Sequence, residues 1–283
     1  MPTRAKFVCL FLAFISLVSK CNSQPLSIQG ELKAGIAAYD KAVYDEAIAH
    51  LTRVVSLDPK QIEGHFYLAM SYHEKYIPNA ESEYDGGYWL RGALYEYQQV
   101  LSISPAHQGA LLRMAYLLLM QSRVDESEQC YRKVLDLDPK NTEAMYLLAI
   151  INFKRAHKVR TEERSDLQLT LRTPLIDSAA CYLVRSKTLA EIQEGIELLE
   201  RSLEFTKNGK YDVQVYLSLF YIERADIQCE DPQAYGADIQ TAVKWRQASE
   251  ETFQHKTHEE TEPTSPRWPP APPPIQETIS SRK

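Results

Sequence analysis

Apolar residues recur every three or four positions through most of the chain, the spacing that gathers them on one side of an α-helix. In 124–137 that side holds Val124, Cys130, Tyr131, Val134, Leu135 and Leu137, with acids and bases opposite. The same period runs through 28–42, 44–57, 62–76 and 109–121. The segments ending near 57, 103 and 137 each run into Asp-Pro or Ser-Pro, at Pro59, Pro105 and Pro139. Proline cannot continue a helix and pushes the residue before it out of the helical region, so each of these is a stop. Pro105 and Pro139 lie 34 residues apart, and Pro59 and Pro105 lie 46 apart, one 34-residue period plus a 12-residue insertion. The predicted unit is helix–turn–helix, closed by proline.

The stretches YDEAIAHLTRVVSLDPK (44–60) and VDESEQCYRKVLDLDPK (124–140) align directly, and LYEYQQVLSISPAH (94–107) shares their ending. Counted from Gln108, the 34-residue unit carries Leu111, Met114, Ala115, Leu118, Ser127, Tyr131, Val134 and Pro139 at its packing positions. The unit before Pro59 carries Ala34, Gly35, Ala38, Ala47, Leu51 and Val54, and the unit before Pro105 carries Leu68, Ala69, Tyr72, Ala93, Tyr97 and Val100. This pattern resembles the tetratricopeptide repeat, with a departure at Glu31. The resemblance implies an all-α fold, a right-handed superhelical α-solenoid of helix-turn-helix repeats. Clear repeats are expected at 28–61, 62–107 and 108–141, the middle one with extra residues in a loop around Pro78–Gly87. Weaker ones are expected at 142–207 and 211–253. In the weaker part, 142–154 reads as a first helix, the polar stretch 155–166 as leaving it, and 175–187 as a short helix after Pro174. The stretch 189–206 reads as an amphipathic helix, and 211–226 with 235–253 as a terminal capping pair.

The resemblance also implies where a partner sits. In tetratricopeptide repeats the concave side is lined from the first helix of each repeat. Carried over by position, that side holds Tyr39 in the first repeat and Phe66, Met70 and His73 in the second. It holds Leu112, Tyr116 and Leu119 in the third, and Tyr146, Ile150 and Phe153 in the fourth. The Lys/Asn/Arg clamp with which some members hold a carboxylate is absent. An aromatic and aliphatic groove suits an apolar helix or extended peptide, so the expected function is a non-catalytic protein–protein interaction scaffold. The competing expectation is that neighbouring helices, or the 155–187 insertion, fill that side. An alternative role is an assembly factor or accessory subunit of an envelope enzyme or complex, recognising through 155–187 or the C-terminal tail.

Both ends read differently from the middle. Arg4 and Lys6 precede an unbroken apolar run, Phe7–Val18, too short to span a bilayer and the right length for the core of a signal peptide. Cys21-Asn22-Ser23 offers small residues for cleavage after Ser23, and Lys20 before Cys21 argues against a lipid anchor. The expected destination is the periplasm or the exterior. No later run is long enough to span a membrane. From His255 onward order is expected to fail, with seven of the 15 prolines between Pro263 and Pro274, a composition that favours an extended spacer.

Composition and chemistry narrow the rest. With 44% hydrophobic and 25% charged residues the chain is globular in type, which excludes wholesale disorder. A net charge of -6, becoming -9 once the three basic residues of 1–23 are removed, speaks against nucleic acid as partner. No nucleophile motif, phosphate loop, dinucleotide glycine motif or paired metal histidines occur, so neither catalysis nor a cofactor is expected. His65 falls at a helix-packing position and reads as a satisfied interior residue. His255 and His258 beside Glu259 and Glu260 are at best a weak metal site. Beyond the leader, Cys130, Cys181 and Cys229 remain, an odd number that allows one intrachain disulfide at most. Small buried thiols are the expected state.

Overall fold

The structure is a computed structural model that describes residues 27–76, 83–169, 175, 178–206 and 210–259. The predicted leader 1–23, residues 78–82 of the predicted loop and the tail beyond Glu259 lie outside the described residues; 83–87 open the helix Glu83–Ile103 and 255–259 end the helix Pro232–Glu259, where a loop and loss of order were expected. Among the described residues the secondary structure is all α-helix. In chain order the helices are α1 (Ile28–Asp40), α2 (Tyr44–Leu57), α3 (Ile62–Lys75), α4 (Glu83–Ile103), α5 (Gln108–Met120), α6 (Val124–Leu137), α7 (Thr142–Asp166), α8 (Ser178–Phe205), α9 (Lys210–Asp226) and α10 (Pro232–Glu259).

The chain forms two compact units that divide after Pro105. In the first, each helix packs on the next from α1 to α4, and the first helices α1 and α3 also touch. In the second the same succession runs from α5 to α10, with α7 touching α9. Contact with the next helix and the next but one is the pattern of stacked helical hairpins.

Local chemistry sets the ends. Asn141 accepts from the Ala144 amide at 2.9 Å and Asp231 from the Ala234 amide at 2.9 Å, each capping the helix that follows. Asp58 and Asp138, the residues before the repeat-closing prolines, are extended, and each carboxylate accepts from the amide two residues on. Within the first and third repeats the tight turn between helices puts Ala42 and Ser122 at φ 58° and 60°.

Packing depends on small residues at the crossings. Ala47, Ala69, Ala93, Ala115 and Ala149 are fully buried, beside Leu51, Val54, Tyr97 and Tyr131. At Gly35 an added Cβ would lie 2.6 Å from Leu51 Cγ. At Gly195 on α8 it would lie 2.1 Å from the ring of Phe220, itself fully buried on α9.

The weaker half differs from expectation in three respects. The polar stretch 155–166 does not leave the helix; it extends α7 to 25 residues. It does so because Arg160 and Arg164, at i and i+4, are buried and paired with acids of α9. Arg160 reaches Glu223 and Asp226 at 2.8 Å each, and Arg164 reaches Asp226 at 2.5 Å. All four are less than a tenth exposed. His157 completes the set, 2.8 Å from Glu223. Second, α8 runs unbroken through 178–205, where two helices were expected. Third, Cys181 and Cys229 are joined in a disulfide that ties α8 to the α9–α10 turn, whereas Cys130 is a buried thiol. The expectation of three buried thiols is therefore corrected for two of them.

Because the core around Gly195 has no slack, Gly195→Ala is expected to destabilise the protein by about 1–3 kcal/mol, the usual cost of overpacking. Urea unfolding followed by circular dichroism measures it; an unchanged midpoint would show that the α8–α9 crossing is looser than described.

Candidate functional site

The residues assigned to the groove divide by burial. In the first unit Tyr39, Phe66 and Met70 are half-buried on α1 and α3, and His73 is buried, 3.4 Å from the Tyr97 hydroxyl. Tyr39 is joined by Tyr67, one position off the assigned register on α3, and by Tyr44 at the start of α2. Its ring packs at 5.6 Å against Tyr67 and 5.8 Å against Tyr44, and Phe66 meets Tyr67 at 5.9 Å, all edge-on or tilted. Tyr67 and Tyr44 were missed by position counting; the excess of tyrosine, 17 in the chain, was the available signal. The Tyr39 hydroxyl donates to Glu74 at 3.4 Å, which puts an acid on the rim of this aromatic face. A second ring cluster lies beside it on α3 and α4. Trp89 packs against Tyr72 and Tyr88, Lys75 Nζ sits 4.4 Å over its ring, and burial pushes the Tyr72 hydroxyl up to about 12.

In the second unit Leu112, Tyr116 and Tyr146 are half-buried, whereas Leu119, Ile150 and Phe153 are buried. The cover over α7 is α9. Phe153 meets Tyr216 and Phe220 edge-on at 5.6 and 5.4 Å, and Tyr146 meets Tyr216 at 5.8 Å. Burial holds the Tyr146 hydroxyl well above the usual tyrosine range, with Asp212 adding to it. Of the assigned residues here, Leu112, Tyr116 and Tyr146 keep surface with which to meet another molecule.

The first unit also holds a buried pair between α3 and α4. His65 Nδ1 stands 2.5 Å from Glu96 Oε2, and its Nε2 stands 3.1 Å from the Pro59 carbonyl. Both ring nitrogens thus face oxygen acceptors. Pro59 accepts only from a protonated Nε2, so the contact at Nδ1 needs a second proton, on the ring or on the carboxyl. Burial pushes the Glu96 carboxyl above the usual carboxylate range, partly offset by His65. The pair spans the repeat-closing proline, α3 and α4, and fulfils the reading of His65 as a satisfied interior residue.

Among the described residues no group of three or more His, Cys, Asp or Glu side chains is arranged to hold a metal ion. No helix among them is long and apolar enough to cross a membrane. The side chains of His255 and His258 lie outside the described residues.

Stacked helical hairpins with half-exposed aromatic first helices define a helical-repeat protein. Residues 90–151 match the tetratricopeptide repeat family. Among solved structures the chain is similar to the MamA protein, with a TM-score of 0.53 at 14% identity over 84% of this chain and 98% of that one. A second MamA structure gives 0.52 at 15% identity over 79% and 96%. At this identity the likeness is one of fold. In sequence, 147 residues are 23% identical to the human protein O-mannosyl-transferase TMTC3, covering 52% of this chain and only 15% of the human protein.

The His65–Glu96 pair yields a pH dependence. A carboxyl raised in the folded state binds more protons there than when unfolded, so its contribution to stability falls as pH rises from the ordinary carboxylate value of 4.5. Glu96→Gln supplies the Nδ1 contact from an amide N–H and needs no extra proton. The stability of Glu96→Gln relative to wild type should therefore grow as pH rises above 4.5, read by thermal unfolding. A difference that stays constant as pH rises would contradict the shared proton.

Proposed function

We propose that this chain is a non-catalytic protein–protein interaction scaffold that holds a peptide or helix of a partner against its first helices. The observation that carries the reading is the surviving exposure of Tyr39, Phe66 and Met70 in one unit and of Leu112, Tyr116 and Tyr146 in the other. Tyrosine and methionine at such positions give large contact area with adaptable geometry. Ile150 and Phe153 then act as the packed support beneath Tyr146, and His73 as support beneath Met70.

The working compartment proposed is the periplasm or the exterior, reached after cleavage near Ser23. Two observations support it. The basic start and short apolar run of 1–23 have the order of a secretion signal. The Cys181–Cys229 disulfide is a bond that oxidising compartments keep and reducing ones remove.

Affinity capture with residues 24–283, followed by mass spectrometry, identifies the partner. Met70→Glu in one unit and Tyr116→Glu in the other should each weaken its binding tenfold or more, with helicity by circular dichroism unchanged. Unchanged binding in both variants, with loss of binding on truncation at Thr257, would move recognition to the tail and end the groove assignment.

A further inference from the structure

A cavity of about 420 Å³ opens in the second unit at the turn between α9 and α10. Its walls are largely apolar: Leu175, Ala225, Pro232, the Tyr235 ring and the Cys181–Cys229 disulfide. Its polar lining is one-sided. Asp226, Glu230 and Asp231 contribute carboxylates and Gln228 an amide, and among the described residues no lysine, arginine or histidine lines it.

These groups are not equally available. Asp226 is committed through Oδ2 to Arg160 and Arg164, and the Gln228 amide donates to Asp238 at 2.6 Å. Glu230 and Asp231 are exposed. Glu230 has the Tyr182 hydroxyl 3.5 Å away, and Asp231 uses one oxygen to cap α10. The nearby cation, Arg185, donates to the Ile227 carbonyl at 3.2 Å and is not among the lining residues. An apolar sleeve with carboxylates at one side and a tyrosine ring in the wall matches an alkyl chain that ends in a cation. A neutral apolar ligand would make no use of the two carboxylates, and an anion would meet repulsion.

We infer that this cavity receives a basic side chain, lysine or arginine, presented by a partner polypeptide. The methylene stem lies along Leu175, Ala225, Pro232 and the disulfide, and the cationic head meets Glu230 and Asp231 over the Tyr235 ring. The net charge of -6 favours the approach of such a partner. Only the partner's being a polypeptide rests on the scaffold reading; the preference for an alkyl cation rests on the cavity itself.

The test uses the oxidised full chain and small probes at low ionic strength. Nα-acetyl-lysine methylamide is titrated and followed by amide shifts in NMR, with Nα-acetyl-norleucine methylamide as neutral isostere and 1,5-diaminopentane as a free diamine. The lysine probe should shift the amides of residues 228–235 saturably, and the norleucine probe should not. Glu230→Gln with Asp231→Asn should weaken the lysine probe at least tenfold; asparagine retains the α10 cap, so the fold is kept. Equal shifts from norleucine, an unaffected double variant, or no shift at all would overturn the site. Tenfold tighter binding of the diamine than of the lysine probe would overturn the assignment to a partner's side chain. Met70→Glu and Tyr116→Glu must leave the titration unchanged, so failure here and failure of the groove are read separately.

Discussion

No hairpin in this protein can bury its own apolar side. Each depends on the next helix coming close, and closeness depends on residues with little or no side chain at the crossing. Ala69, Ala93, Ala115 and Ala149 are fully buried for this reason, and Gly195 has the ring of Phe220 where a side chain would be. The large partners, Leu51, Tyr97, Tyr131 and Phe220, fill the space beside them. Neighbour-to-neighbour packing of this kind leaves one side of each first helix to be covered by something else, and what covers it decides function.

The two units resolve that question differently. On α1 and α3 the aromatic residues pack on one another and keep part of their surface. On α7, the side that position counting assigns to a partner is taken up by Tyr216 and Phe220 of α9. The same α7–α9 contact carries the buried charges. Buried ion pairs of this type seldom add net stability over apolar packing, but removing one partner from them is costly, about 3–5 kcal/mol. They hold the extended end of α7 against α9, beside its packing on α6 and α8. The disulfide and the cavity sit at the far end of that same contact.

The first three repeats were legible in the sequence because their signals are local. Prolines at 59, 105 and 139, apolar periodicity and small residues at fixed places each report on a stretch of a few residues. The extension of α7 was not legible, because its cause is not local: Arg160 and Arg164 are charged residues that read as surface until Glu223 and Asp226, some 60 positions later, are brought against them. For the same reason Cys181 and Cys229, 48 residues apart, gave no sign of pairing. Of the candidate site, the choice of first-helix positions came from the repeat pattern. The burial of Ile150 and Phe153, and the part played by Tyr67, depended on neighbours that periodicity does not specify.

The central claim is that a partner lies along the first helices and not elsewhere on the repeats. Photo-cross-linking tests it directly, with benzoylphenylalanine placed at Tyr116 on α5 or at Tyr95 on α4, the latter 58% exposed and on a second helix. The account predicts that the captured partner cross-links from position 116 and not from position 95. Equal cross-linking from both, or cross-linking from 95 alone, would contradict it.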